Sequence, residues 1–227
     1  MSDERERLSH HLIDVCRRLY ASGLIVATDG NVSCRIDAER FLTTPSGMCK
    51  GFLSPEDLVV VDLDGRALQG TRRPSSEFGM HGAVYRTRED VRAVVHAHPP
   101  TATAFSVAGV SLMEPILTEV VLGLGAIPTA PYATPGTPEV GEGVSRLIAD
   151  YDCCILDHHG AVTVGGDLFE ALHRMETIEQ TAKVALSAHA LGGARPLAPG
   201  QVEELAATRR AMGLRDIPVT RLPGSGM

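Results

Sequence analysis

Tryptophan is absent from this chain of 227 residues, and Phe and Tyr together supply only 4% of it, so a folded interior must be built from Val, Leu, Ile and Ala. Positive charge is also scarce: 21 Lys and Arg stand against 28 Asp and Glu, a formal net charge of −7. A nucleic-acid surface needs clustered Lys and Arg, so no nucleic-acid partner is expected, although a local basic pocket for a phosphate stays open. No window approaches the roughly 20 apolar residues that cross a bilayer, which argues against a membrane protein. The opening segment MSDERERL carries charge where an export signal has its apolar core. The five cysteines, Cys16, Cys34, Cys49, Cys153 and Cys154, contain no CxxC pair. An odd set in a chain too long to need staples is expected to stay as free thiols in a reducing, cytoplasmic setting.

What is present is an ordinary globular composition, 44% hydrophobic and 22% charged, in a length that suits one well-buried domain. Leu8, Leu12, Val15 and Leu19 recur at helical spacing and predict an opening helix over 3–22, ended by Gly23. Turns and short strands follow, with a strand over Leu58–Leu63 and a hairpin turn at Asp64-Gly65. A helix is expected over 75–87, capped by Ser75 or Ser76, then a strand over Val91–His98 stopped by Pro99 and Pro100. Further helices are expected over 101–108, 115–124, 138–149, 167–190 and 199–213, with buried strands at Cys153–Asp157 and Ala161–Val164. Residues from about 214 to 227 read as a mobile tail. Helix, strands, then alternating helix and strand suggest one α/β domain around a central sheet.

His96-Ala97-His98 closes the strand that begins at Val91. Side chains two apart on a strand point the same way, so two imidazoles project together as a ready pair of metal ligands. A catalytic zinc site takes about three protein ligands and keeps an open position. His159 ends another apolar strand and can supply the third, and Glu77 a carboxylate that doubles as a base. His10, His11, His81, His173 and His189 fall within helices and read as structural. Gly30-Asn31, Thr44-Pro45-Ser46-Gly47 and Ser75-Ser76 each combine small residues with hydroxyls or amides. Each can present backbone N–H groups to an anion, and each can equally be turn or cap chemistry. Lys50 lies nearby and reads as solvated.

These segments together resemble the class II aldolase/adducin-head family, in its fuculose-phosphate aldolase branch. The resemblance is carried in order by Gly30-Asn31-Val32-Ser33, Thr44-Pro45-Ser46-Gly47, Leu58–Gly65, Pro74-Ser75-Ser76-Glu77 and His96-Ala97-His98-Pro99. It continues through Ala130–Thr137 and His159-Gly160, spanning about residues 8–190. It implies a single-domain α/β/α sandwich with a central, mainly antiparallel sheet, assembled as a homotetramer with sites between subunits. It implies a zinc ion, or manganese or cobalt in its place, on His96, His98, His159 and Glu77. It also implies a substrate phosphate on Asn31, Ser46, Gly47, Ser75 and Ser76. The activity implied is retro-aldol cleavage of a small ketose phosphate, fuculose 1-phosphate-like, through a metal-stabilised enediolate, with Glu77 moving the proton.

Three departures from the family pattern bear on this. His158 stands where the family more often has Asn. Ile116–Ile127 contains no tyrosine, where the fuculose-phosphate enzyme has a donor from the next subunit, and Glu119 in that stretch resembles the acid/base of the family's dehydratases. No tyrosine follows Tyr151. A dehydratase or decarboxylase of the same family therefore stands as the alternative. Two readings are weaker: a non-enzymatic, adducin-head-like interaction module, which has no need to bury three histidines with Glu77, and a non-haem iron oxygenase on the same scaffold.

Overall fold

The computed structural model describes residues 2–219. Seven α-helices and eight strands alternate along the described chain. In order they are α1 (Ser2–Ala21), β1 (Asn31–Arg35), β2 (Phe41–Thr43), β3 (Val59–Val61), β4 (Ala67–Gln69), α2 (Phe78–Thr87), β5 (Ala93–Ala97) and α3 (Pro100–Val107). Then come α4 (Thr118–Gly123), β6 (Thr129–Ala130), α5 (Pro138–Ile148), β7 (Cys153–Leu156), β8 (Gly160–Gly165), α6 (Leu168–Ala190) and α7 (Pro199–Ala211).

The strands form one sheet in the order β4-β3-β2-β1-β5-β8-β7-β6. Every pairing is antiparallel except β6 with β7. Because strand residues alternate faces, each strand feeds two cores. Val95 and Ala97 join Leu12, Val15 and Leu19 of α1 with Leu172, Met175 and Ile178 of α6. Val94, Val162 and Val164 join Phe78 and Val84 of α2 with Val140, Val144 and Ile148 of α5. Helices thus cover both faces, which is the expected three-layer sandwich. The five cysteines are free, and four of them are buried. No helix among the described residues is long and apolar enough to cross a membrane.

Several boundaries differ from the sequence reading. Helix α2 begins at Phe78 with Glu77 as its N-cap, so neither Ser75 nor Ser76 caps it. Ser75 is held extended instead, because its N–H donates to Thr44 O (3.1 Å) beside a bridge between Pro45 and Pro74. The strand expected over Leu58–Leu63 is confined to Val59–Val61, and β4 and β6, of three and two residues, were too short to show a period. The expected tail from residue 214 needs correction at its start. Ile217 is only 3% exposed, packed with Ala126 and Tyr151, and Arg215 donates to Ala149 O. Residues 220–227 of that tail lie outside the described residues.

Candidate metal centre

His96 sits in the middle strand of the sheet, with Asn31 of β1 and Val162 of β8 as its lateral partners. It shares a face with Val94, the face that α2 covers. Its ring is fully buried, and Nδ1 lies 3.0 Å from Ala161 O. A carbonyl only accepts, so Nδ1 carries the hydrogen and Nε2 presents a lone pair. That nitrogen is 3.2 Å from His98 Nε2. His98 follows directly after β5, where its N–H donates to Leu24 O (2.8 Å). His159 comes from the β7–β8 turn, closed by its N–H to Leu156 O (3.0 Å). The three ring centroids are 4.8 to 5.0 Å apart.

Two glycines make this approach possible. Gly160 starts β8, and a Cβ there would lie 2.4 Å from Ala97 O and 2.8 Å from His98 Cδ2. Gly30 has φ of +67°, and a Cβ there would meet His96 O at 2.8 Å. His158, the departure beside His159, takes the left-handed position of its turn (φ 57°). Its ring is more than half exposed and bonds Asp157 Oδ1 at 2.8 Å, apart from the other three.

Glu77 brings a carboxylate to the same point. Its Oε2 accepts from Asn31 Nδ2 (2.8 Å) and lies 3.5 Å from His96 Nε2, while Oε1 lies 3.5 Å from His159 Nε2. Donors on a tetrahedral zinc, with Zn–N of about 2.0–2.1 Å, are spaced by about 3.3 Å. Separations of 3.2 and 3.5 Å fit that spacing, and one nitrogen from each histidine falls within 4.8 Å of the others. Burial, then the neighbouring rings, hold His96 well below the ordinary imidazole range, and burial and His159 lower His98 as well. Neutral imidazoles are the form that binds a cation.

The loop residues gather on the same side. Ser46 N donates to Arg73 O (2.9 Å) and Ser75 N to Thr44 O, so the Ser46-Gly47 and Ser75-Ser76 segments run side by side. Ser76 and Glu77 line a cavity of about 350 Å³ with Arg86, Thr137 and Ser145. Asn31 has its amide committed to Glu77. Glu119 is not brought to the histidines by its own chain: it is exposed on α4, which packs against α7, and its carboxylate accepts from Thr118 Oγ1 (3.1 Å). Lys50 is not solvated as its sequence context suggested. It is 2% exposed, Nζ donates to Thr28 O, and burial lowers its pKa while Asp29 and Glu77 oppose that shift. Asp29 in turn lies 3.6 Å from His98 Nδ1.

The residues 10–186 match the model of the class II aldolase and adducin N-terminal domain. The chain belongs to this family. Among its relatives is an L-fuculose phosphate aldolase from Methanococcus maripaludis, 37% identical over 172 residues that cover 76% of this chain and 92% of the other. A 3-oxo-tetronate 4-phosphate decarboxylase from Escherichia coli is 34% identical over 208 residues, 88% of this chain and 94% of that one. An L-fuculose-1-phosphate aldolase structure from Thermus thermophilus superposes with a TM-score of 0.74 at 35% identity, covering 85% of this chain and 100% of its own. Aldolase and decarboxylase are both lyases, and a lyase of the class II aldolase type is what the sequence led us to expect. Sequence reasoning missed His81, Lys50 and Asp29 around this class II aldolase centre. For His81 a signal existed: Glu77, His81 and Tyr85 are four apart, one face of a helix.

Proposed function

We propose that this chain is a divalent-metal-dependent lyase that breaks a bond next to the carbonyl of a small phosphorylated sugar or sugar acid. The observation that carries the reading is the meeting of Glu77 with His96, His98 and His159 at spacings that suit one ion. Zinc fits this donor set, with manganese or cobalt as alternatives. When bound, the ion supplies a Lewis acid that offsets negative charge developing on the substrate's carbonyl oxygen. The chain's own groups do the rest. Glu77, fixed by Asn31, takes or gives the proton at the carbon beside the carbonyl through the oxygen that Asn31 leaves free. The Gly47 and Ser76 N–H groups and the hydroxyls of Ser46, Ser75 and Ser76 provide the donors for a phosphate, and Asn31 contributes the second hydrogen of the Nδ2 that already bonds Glu77. Glu119 serves as acid/base only from a neighbouring copy, in keeping with a homotetramer whose sites lie between subunits in the cytoplasm.

Aldol cleavage of a ketose phosphate is the first reading. Decarboxylation of a 3-oxo sugar-acid phosphate is the second, favoured by the decarboxylase relative that covers 88% of this chain, against 76% for the aldolase. Both reactions leave the same charge beside the carbonyl, and both release dihydroxyacetone phosphate. The companion product decides: an aldehyde from fuculose 1-phosphate or carbon dioxide from 3-oxo-tetronate 4-phosphate. Glu77→Gln is expected to keep bound metal while solvent deuterium exchange into dihydroxyacetone phosphate falls by a factor of about 10²–10⁴. Native-rate exchange in that variant would exclude Glu77 as the group that moves the proton.

A further inference from the structure

Helix α2 and strand β1 face each other through two matched series. Residues four apart on a helix rise about 6.0 Å, and residues two apart on a strand about 6.6 Å. Glu77, His81 and Tyr85 therefore run nearly in step with Asn31, Ser33 and Arg35. Their contacts form rungs: Asn31 Nδ2 to Glu77 Oε2 (2.8 Å), Ser33 Oγ to His81 Nδ1 (2.7 Å) and to Tyr85 Oη (2.8 Å), and Arg35 Nη2 to Tyr85 O (3.2 Å). Asn31, Ser33, His81 and Tyr85 are all buried, at 2, 0, 0 and 3% exposure.

Two atoms on this ladder have no hydrogen-bond partner, Asn31 Oδ1 and His81 Nε2. They belong to successive rungs and are complementary. Asn31 has spent its amide on Glu77, leaving an acceptor, and His81 has spent Nδ1 on Ser33, leaving a nitrogen that can donate. Buried polar groups are satisfied with few exceptions. Burial pushes the His81 pKa down to about 3, so the ring is neutral and carries one N–H.

We propose that His81 is a positioning residue for Glu77, donating from Nε2 to Asn31 Oδ1 through one enclosed water. This rests on Glu77 being the group that moves the substrate proton. Asn31 Oδ1 can only accept, so Nε2 carries the hydrogen and Nδ1 accepts from Ser33. Ser33 Oγ then accepts from the Tyr85 hydroxyl. Every donor points one way, from Tyr85 through Ser33, His81 and Asn31 to the carboxylate, and the Asn31 amide cannot turn over without opposing the whole series. Glu77 Oε2 is held, and Oε1 is left facing His159.

The direct test is the tautomer. Long-range ¹⁵N–¹H correlation on histidine-labelled full-length protein should show His81 protonated at Nε2, with that resonance moved by Asn31→Ala. An Nδ1–H tautomer, or no response to Asn31→Ala, overturns the proposal whether or not the enzyme is active. A protein with the Nε2–H tautomer but no lyase activity leaves the relay standing and refutes the function instead. In active enzyme, His81→Phe keeps the ring but no N–H, and His81→Gln keeps a donor at the place of Nε2. His81→Phe is expected to lower kcat by about 10–100-fold with KM and metal content little changed, and His81→Gln to recover most of that loss. If Phe restores activity better than Gln, His81 only fills space.

Discussion

Gly160→Ala tests whether the spacing of two strands sets the three imidazoles. Gly160 lies between His159 and Ala161, and the added Cβ would stand 2.4 Å from Ala97 O and 2.8 Å from His98 Cδ2. Carbon and carbonyl oxygen come no closer than roughly 3.3 Å in ordinary contact, so β5 and β8 must part by about 0.9 Å there. That movement reaches all three rings. It carries away Ala161 O, which holds His96 Nδ1, it pushes on the His98 ring, and it shifts His159 through the chain. Overpacking of this kind costs about 1–3 kcal/mol of folding stability. Loosened support for metal ligands costs about 10–100-fold in affinity, or about 1.4–2.7 kcal/mol. The assay is zinc competition against a chromophoric chelator, paired with the urea midpoint of the metal-free protein. Gly200→Ala is the control, since no atom lies within 4 Å of its Cβ and alanine suits a helix. Native zinc affinity in Gly160→Ala, with stability changed by less than about 0.5 kcal/mol, would falsify this account of the centre.

Acid should destabilise the metal-free protein from pH 6.5 downward. The buried His81 has a folded pKa near 3, below the ordinary 6.5, so its contribution is complete above pH 6.5 and lost as pH falls, because only the unfolded chain takes up the proton. The slope is about 1.4 kcal/mol per pH unit for each such histidine, His96 acting in the same direction, and urea unfolding at pH 7, 6 and 5 reads it. A flat profile over that range contradicts the burial of both rings. Asp152→Asn should cost about 3 kcal/mol, since Asp152 is 1% exposed and its carboxylate meets Arg88 (2.6 Å), Arg174 (3.0 Å) and Arg209 (3.6 Å). A change in the urea midpoint worth under about 1 kcal/mol would show that Asp90 and Glu170, the outer partners of Arg88 and Arg174, suffice alone.

The features legible in the sequence are those that repeat over a few residues. Helical spacing foretold α1 and α6, and strand alternation foretold that His96 and His98 turn the same way. Each of these depends on neighbours in the chain. The Asn31–Glu77 bond joins residues 46 apart, and the register of His96 opposite Asn31 depends on which strands pair. Neither leaves a local period. Lys50 reads as a surface lysine because its neighbours are turn residues, yet it lies in a short helical turn, Lys50–Phe52, packed against α1. His81 reads as one helical histidine among several until β1 is set opposite α2. Only then does the four-residue spacing on one element meet the two-residue spacing on the other.

The rigidity of the centre bears on the choice of reaction. His96 is fixed by strand pairing on both sides, Glu77 by a side-chain amide on β1, and His159 by a closed turn. Such a centre holds geometry well and discriminates little, because aldol cleavage and decarboxylation place the same charge beside the same carbonyl. Selection between an aldehyde and carbon dioxide as leaving group must then come from groups around it that differ in charge and proton capacity. Lys50 brings a buried cation on the side of Asp29 and His98, and Glu119 is an exposed carboxylate on α4 that only a neighbouring copy's centre would meet. A cation near a substrate carboxylate favours binding it but also stabilises it against loss as carbon dioxide, whereas a carboxylate that can take up a proton favours departure of an aldehyde. On the proposed function, the two reactions are expected to part at Lys50 and Glu119, not at the histidines.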